Sequence, residues 1–148
     1  MRIQNRSDWI EIEFMPYGTE NEYAYPDLPD TGSLVAIVFA FQIDSIGCGC
    51  IGEEYFSRYD VKALAEGFSK VLFGNCDSFS YSGEDPFGYL TPDPFFTFQL
   101  ERRESVLILS LQIHDRVDYI SVTETMDYPR FESIVQELKS VARKCPVP

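Results

Sequence analysis

Short stretches in which apolar and polar residues alternate dominate this chain. Residues 9–14 place apolar side chains at every second position, which is the period of a half-buried β-strand. Residues 96–100 and 106–113 alternate in the same way on either side of a charged turn, and this pattern predicts a β-hairpin. Residues 34–43 are apolar at nearly every position, so we expect a central strand that is covered on both faces.

Two other stretches have the period of an amphipathic α-helix. Apolar residues recur at every third or fourth position in residues 61–72 and again in residues 131–142. Asp60 is the expected N-cap of the first helix. Pro129 lies in the first turn of the second helix, where a missing backbone N–H costs little. Each helix has one apolar face and one charged face, so both are expected to pack against a sheet.

These elements, together with weaker strands at 78–81 and 119–123, predict an α+β fold. We expect a five- to six-stranded, mostly antiparallel sheet with two amphipathic helices packed on it. No repeat, low-complexity tract or flexible linker divides the chain. Residues 1–148 are therefore expected to form a single globular domain, because this length suits one hydrophobic core.

The charge of the chain restricts the expected partners. There are 24 Asp and Glu residues against 12 Lys and Arg residues, and the net charge is −12. A hydrophobic content of 45% is enough for a core, so the acidity is not that of a disordered tail. Phosphate groups would be repelled, so we expect a basic protein as the partner and no binding to nucleic acid or membrane. A homodimer through an exposed sheet edge stays open.

The sequence also indicates a cytoplasmic location. The longest apolar run, residues 34–41, is much shorter than the ~20 residues of a membrane helix, and no export signal is recognisable at the N-terminus. The cysteines are then expected to be reduced thiols. Cys48 and Cys50 resemble half of a metal site, but no second ligand pair accompanies them. We expect no metal or other cofactor and place both cysteines in a glycine-rich bend, while a redox or metal role for them stays open.

Few residues in the sequence suggest catalysis. The only histidine, His114, lies on an alternating strand, and neither a nucleophile motif nor a phosphate-binding glycine loop is present. Carboxylate pairs such as Glu11 with Glu13, or Asp115 with Asp118, are expected by chance in a chain this acidic. They are interpreted as solvated surface groups. The chain is therefore not expected to be an enzyme.

Two loop segments combine acidic and aromatic residues and contain no basic residue. Residues 17–33 and 82–94 are rich in proline and glycine, which indicates loops. Aromatic side chains are frequent anchors of protein interfaces, and acidic groups accelerate association with a basic partner. The expected partner-binding residues are Glu20, Glu22, Tyr23, Tyr25, Asp27 and Asp30 in the first segment and Glu84, Asp85, Phe87, Tyr89 and Asp93 in the second.

The order of the predicted elements resembles that of a known family. A strand at 8–12 is followed by a further strand and a helix, then by a strand at 96–98 with its hairpin partner and a closing helix around 131–138. This order resembles the small acidic immunity proteins of bacterial toxin systems, most closely the WapI-type immunity family. The resemblance implies no catalytic residues, and it implies that the chain binds and blocks a cognate toxin, often a nuclease.

We therefore expect an intracellular immunity or inhibitor protein that neutralises a basic toxin through an acidic, aromatic surface. A nuclease must present a basic surface to its own substrate, and an acidic protein can cover that surface. Two alternatives stay open. One is a non-catalytic protein-binding module or assembly subunit of another pathway, and the other, the least expected, is a small enzyme that uses carboxylates.

Overall fold

The computed structural model describes residues 1–16, 34–83, 96–114 and 119–144. Eight strands and two helices lie in these ranges, and the same order, four strands and then one helix, occurs twice. In chain order the elements are β1 (Arg2–Asn5), β2 (Asp8–Pro16), β3 (Leu34–Ile43), β4 (Gly47–Ser57), α1 (Arg58–Leu72), β5 (Ser78–Gly83), β6 (Phe96–Arg103), β7 (Val106–His114), β8 (Tyr119–Met126) and α2 (Tyr128–Lys144).

The strands form two antiparallel sheets of four strands each within the described ranges. The order is β1-β2-β3-β4 in the first sheet and β5-β6-β7-β8 in the second, so each strand pairs with its neighbours in sequence. The register places Ile10 opposite Phe41 in the first sheet and Phe98 opposite Leu111 in the second. Cross-strand pairs of this kind put apolar side chains on one shared face of each sheet.

Burial follows the alternation that the sequence shows. In β6, Phe96, Phe98 and Leu100 are buried, whereas Thr97 is half-buried and Gln99 is exposed. The strand β7, which pairs with β6, alternates in the same way over its described side chains. The two strands therefore direct their apolar side chains into the core and their hydroxyl and amide groups outwards.

Both helices are bounded by local interactions. Before α2, the Asp127 carboxylate accepts a hydrogen bond from the backbone N–H of Arg130 at 2.9 Å, which satisfies a free amide of the first turn. The chain leaves α1 through Gly74, whose φ of +78° is readily adopted by glycine. The predicted N-cap at Asp60 is wrong, because α1 begins at Arg58 and Asp60 lies in the first turn. Neither helix in the described part of the chain is long and apolar enough to cross a membrane.

Phe68 of α1 lies at the centre of the core. Its ring centroid is 5.9 Å from those of Phe79 in β5 and Phe98 in β6, both in edge-to-face geometry, and 5.6 Å from that of Phe131 in α2. The side chains of Phe68, Phe98 and Phe131 are fully buried. Aromatic pairs of this kind add about 0.5–1.5 kcal/mol beyond the burial of their area. One side chain thus connects both helices to the second sheet.

The first sheet contacts the second along β1 and β8. The backbone N–H of Gln4 in β1 donates a hydrogen bond to Oε2 of Glu124 in β8 at 2.9 Å. Arg130 of α2 donates to Oε1 of the same carboxylate at 3.1 Å and also to the backbone carbonyl of Arg2. Glu124 is only 15% exposed, and these charge-assisted hydrogen bonds compensate for the burial of its carboxylate. The network therefore ties β1, β8 and α2 together.

The α+β class, the antiparallel pairing and the two helices are confirmed, but the predicted single sheet of five to six strands is wrong. The described residues form eight strands in two sheets. The four residues of β1 are too few to show a period. The first six residues of β4 include three glycines, which disfavour a strand. Pairing along β3 overrides that preference, so Cys48 and Cys50 lie in a strand rather than in the expected bend.

Gly67 lies where α1 approaches β5 most closely. A Cβ atom added at this position would be 2.1 Å from Cε2 of Phe79, so either the helix or the ring would have to move. On an open helix surface, a change from glycine to alanine stabilises by about 1 kcal/mol. We predict that Gly67→Ala instead lowers the free energy of unfolding by about 1–3 kcal/mol, because it overpacks the contact. Urea denaturation followed by circular dichroism measures this change.

A matched control is Glu66→Ala, one position earlier in the same helix. Glu66 is exposed, and its Oε1 lies 3.9 Å from Nζ of Lys62. Loss of this surface ion pair should change the free energy of unfolding by about 0.5 kcal/mol or less. A Gly67→Ala protein that is more stable than the parent would contradict the close approach of α1 to β5.

Candidate functional site

The eleven residues predicted to bind a partner lie outside the described residues. They belong to residues 17–33, here called the first acidic segment, and to residues 84–95, here called the second acidic segment. The structure describes the strand ends that flank both segments. These strand ends show where the two segments join the folded framework.

The strand ends that flank the first acidic segment lie beside the start of α1. Pro16 ends β2 and faces Val35 of β3, so the two ends of the segment join neighbouring strands at the same edge. Leu34, the first residue of β3, faces Ser57, the last residue of β4. The helix α1 begins at the next residue, Arg58. Both ends of the first acidic segment therefore join the framework close to the first turn of α1.

The strand ends that flank the second acidic segment lie near the same turn. Gly83 ends β5 and faces Phe96, the first residue of β6. Two residues before Gly83, the hydroxyl of Tyr81 donates a hydrogen bond to Oδ1 of Asp60 at 2.5 Å. Because Asp60 is in the first turn of α1, this contact fixes the end of β5 against the helix. The flanking strand ends of both segments, one pair from each sheet, thus meet at one end of α1.

Tyr81 is held in a row of aromatic rings. Its ring stacks on Phe79 at a centroid distance of 6.3 Å and lies 6.3 Å from the ring of Phe96. Burial, together with the hydrogen bond to Asp60 and the negative charge of that group, raises the pKa of Tyr81 well above the ordinary tyrosine value. The phenol therefore stays protonated and remains a hydrogen-bond donor throughout the neutral pH range.

Most of the net charge lies outside the described residues. The described residues include 15 acidic and 11 basic side chains, a net charge of −4 out of −12 for the chain. The first acidic segment contains four acids and the second contains three, with no basic residue in either. Seven of the remaining eight net negative charges therefore belong to the two segments that join the framework beside α1.

The cysteines form no metal site within the described ranges. No group of three or more His, Cys, Asp or Glu side chains able to hold a metal occurs in that part of the chain. Cys48, in β4, is an exposed free thiol, and Cys76, between α1 and β5, is a half-buried free thiol.

The structure describes one of the two carboxylate pairs considered as catalytic candidates, and it also describes the backbone position of the histidine. Glu11 and Glu13 are exposed on β2, and Oε2 of Glu11 lies 3.7 Å from the guanidinium of Arg2. His114 is the last residue of β7 and faces Tyr119 across the sheet. The second carboxylate pair, Asp115 and Asp118, lies outside the described residues. Glu11 and Glu13 thus resemble solvated surface groups rather than a catalytic pair.

A basic surface on the two helices was missed by the sequence reasoning. One face of α1 and one face of α2 line an open groove, here called the helix groove. Its cations are Lys62, Lys70, Lys139 and Arg143. The sequence shows that the two cations of α1 are eight residues apart and that the two cations of α2 are four residues apart, so each pair lies on one face of its helix. Only the packing of the helices shows that both rows face the same groove.

Comparisons with known proteins give a fold but no family. No protein-family model matches the chain, and no curated protein matches it. The structure of WHY1 from Arabidopsis thaliana is similar, with a TM-score of 0.52 and 11% identity over 98% of this chain and 88% of that one. The structure of WHY3 from the same plant has a TM-score of 0.53 and 12% identity, and the match covers 98% of this chain and 86% of that one. The structure of the plant transcriptional regulator PBF-2 has a TM-score of 0.55 and 11% identity, and the match covers 98% of this chain and 80% of that one. Identities this low show a shared fold alone.

The shared fold corrects the expected set of partners. The net charge led us to expect a basic protein and to exclude nucleic acid. This exclusion is wrong, because a plant regulator of transcription has the same fold. The charge was a poor guide because −12 is a sum over the whole chain, whereas a ligand meets one surface. The helix groove is such a surface, and it is locally basic.

The contact between Tyr81 and Asp60 can be tested by removing the hydroxyl group. We predict that Tyr81→Phe lowers the free energy of unfolding at pH 7 by about 1.5 kcal/mol, the value of a hydrogen bond to a charged group. The pKa of Tyr81 is raised in the folded state but not in the unfolded state. The difference in the free energy of unfolding between the parent and the variant is therefore constant below the ordinary tyrosine pKa of 10.0 and declines as the pH rises above it. Urea denaturation at pH 7 and at several values above pH 10 measures both effects.

The other eight tyrosines titrate in both proteins, so the difference between parent and variant isolates Tyr81. Equal stability at pH 7 would show that the hydrogen bond contributes nothing. A stability difference between parent and variant that increases above pH 10 would contradict a raised pKa of Tyr81 in the folded state. Either result would remove the argument that this contact fixes β5 against α1.

Proposed function

We propose that this chain is an inhibitor of the immunity-protein type, which binds a basic toxin domain and blocks its working surface. One observation carries the proposal. The two segments that have acids and no bases join the framework at strand ends that meet beside the first turn of α1. Acidic segments that are attached to the framework near one point create a local negative field. Such a field attracts a basic surface and accelerates its association.

Acidic and aromatic residues have different roles in this proposal. The seven acids of the two segments steer the partner and pair with its cations at the rim. The aromatic residues supply buried contact area, since tyrosine and phenylalanine anchor many interfaces at little entropic cost. The proposed anchors are Tyr23, Tyr25, Phe87 and Tyr89.

The framework supports this division of roles. The hydrogen bond between Tyr81 and Asp60 holds the end of β5 against α1, beside the end of β4. Fixed attachment points reduce the number of arrangements that the two segments must give up on binding. An inhibitor of this kind acts in the bacterial cytoplasm, where a toxin that reaches its target must be stopped quickly.

The second acidic segment provides a direct test. We predict that the triple variant Glu84→Gln, Asp85→Asn and Asp93→Asn associates with the toxin about tenfold more slowly, because electrostatic steering is lost. The partner in this experiment is a basic toxin domain that is sought among the products of the genes adjacent to the gene for this chain. Its association is measured by biolayer interferometry at an ionic strength of about 0.15 M, where the Debye length is about 8 Å, and protection is measured as growth of cells that express the toxin.

The matched control removes the same charge elsewhere. The triple variant Glu66→Gln, Glu104→Gln and Glu132→Gln neutralises three exposed acids in α1, in the turn between β6 and β7 and in α2. Its association rate should stay within about twofold of the parent, because distant charges are screened. Equal slowing in both variants would mean that total charge rather than a local site attracts the toxin.

Salt gives an independent measurement on the unmodified protein. We predict that the association rate with the toxin falls steeply as salt is raised, whereas the dissociation rate changes little. Stopped-flow fluorescence over a series of salt concentrations measures the first rate. An association rate that is independent of salt would show that aromatic packing dominates and that the acids do not steer.

The fold favours nucleic acid as a second candidate ligand. The specific observation is the similarity to the plant transcriptional regulator PBF-2. A regulator of transcription works at nucleic acid, and a protein of this fold can therefore be screened against labelled single-stranded and duplex oligonucleotides by fluorescence anisotropy. Salt-sensitive binding in this screen, with no protection against the toxin, would support this candidate against the inhibitor.

A further inference from the structure

The helix groove carries a positive charge, opposite in sign to the net charge of the whole chain. It is lined by Lys62 and Lys70 of α1 and by Lys139 and Arg143 of α2, with Glu66 as the acid among them. Nζ of Lys62 lies 3.9 Å from Oε1 of Glu66, which leaves a net charge of +3 from these five side chains. A local surplus of this size on a chain of net charge −12 attracts anions that the rest of the molecule repels.

Four arginines in the described part of the chain are paired with carboxylates, whereas three of the groove cations are not. Four arginines form ion pairs with nearby carboxylates, namely Arg2 with Glu11, Arg102 with Asp77, Arg103 with Glu101 and Arg130 with Glu124. Within the described residues, Lys70, Lys139 and Arg143 have no carboxylate within 4 Å. These three cations can bind an anion without first giving up a carboxylate of the described residues.

An apolar ring lies beside the cations. Phe73 follows α1 directly and is 67% exposed, the most exposed large hydrophobic residue among the described ones. Nζ of Lys139 lies 5.3 Å from the centroid of this ring. The cation–π contact orients Lys139 while leaving the ring largely open to solvent. A ligand can therefore contact the lysines with its carboxylates and Phe73 with an apolar side chain.

We propose that the helix groove binds a short acidic segment of a partner protein, in which an aromatic or aliphatic side chain accompanies the carboxylates. Lys62 and Lys70 are about 12 Å apart along the helix axis, a distance that about four extended residues span. A slightly longer segment can place carboxylates on Lys70, Lys139 and Arg143 and an apolar side chain on Phe73. This surface is distinct from the two acidic segments, so the inference does not depend on the inhibitor proposal.

Charge also decides between the possible occupants. In a two-fold symmetric pair the helix groove would face the helix groove of a second copy, and these two surfaces of like charge repel each other. A nucleic acid offers phosphates but no carboxylates, so an oligothymidylate is the competitor against which an acidic peptide is tested. An acidic peptide segment is opposite in charge to the groove and also supplies an apolar side chain for Phe73.

The test uses the full chain and a synthetic probe. The probe is a fluorescein-labelled peptide of about eight residues, Glu and Asp with one central Phe, which is long enough to cover the groove. Its binding is measured by fluorescence anisotropy at low salt. We expect Lys70→Gln and Lys139→Gln each to weaken binding about threefold, as for a single exposed ion pair, and added salt to weaken it further.

Matched controls separate the groove from general charge effects. Arg103→Gln removes a positive charge from the end of β6, away from the helices, and should leave peptide affinity unchanged. Phe73→Ala should weaken binding of this probe but not of a peptide in which the central Phe is replaced by Gly. All four substituted side chains lie at the surface or at the end of an element, so the fold should be retained, and circular dichroism of each variant checks this.

Three outcomes would overturn the proposal. One is peptide affinity that Lys70→Gln and Lys139→Gln leave unchanged. Another is tighter binding of an oligothymidylate of the same length than of the peptide, which would identify the groove as a nucleic-acid site. The third is self-association in sedimentation velocity that the same two substitutions abolish, which would identify a second copy as the occupant. Toxin binding by both variants is measured in parallel, so failure here is distinguishable from failure of the inhibitor proposal.

Discussion

The packing of Phe68 against three other rings holds the two halves of this fold together. Phe68 belongs to α1, which follows the first sheet in sequence, yet its ring contacts Phe79 and Phe98 of the second sheet and Phe131 of α2. The first half of the chain thus places its helix on the sheet of the second half. Since each half needs the other to cover its apolar surface, the two are expected to fold as one cooperative unit. The missing side chain of Gly67 permits this close approach.

Elements with a clear period were predictable from the sequence, and those with a short or glycine-rich sequence were not. Phe96, Phe98 and Leu100 alternate with polar residues because β6 has one buried face, and this period is visible without a structure. The strand β4 shows no such pattern, because three of its first six residues are glycines. Its pairing with β3 is a tertiary effect that local preference cannot reveal. The division into two sheets also depends on tertiary contacts.

The composition of the candidate site was readable from the sequence, but its location was not. Acids without compensating bases stand out in any chain, so the two acidic segments could be identified. The convergence of the strand ends that flank these segments depends on the strand register that brings Leu34 to Ser57 and on the hydrogen bond between Tyr81 and Asp60. The helix groove shows the same limit, since lysines on two separate helices look like ordinary solvated faces until the helices pack.

Glu124 also affects how the molecule behaves towards its neighbours in solution. Antiparallel meanders end in strands whose free N–H and C=O groups recruit strands of other molecules, a common start of aggregation. The edge strand β1 has its Gln4 N–H occupied by the Glu124 carboxylate, which is in turn held by Arg130. A strand that approached this edge would have to displace a charge-assisted hydrogen bond and face a carboxylate. One glutamate in β8 thereby protects an edge of the other sheet against fibril-like growth.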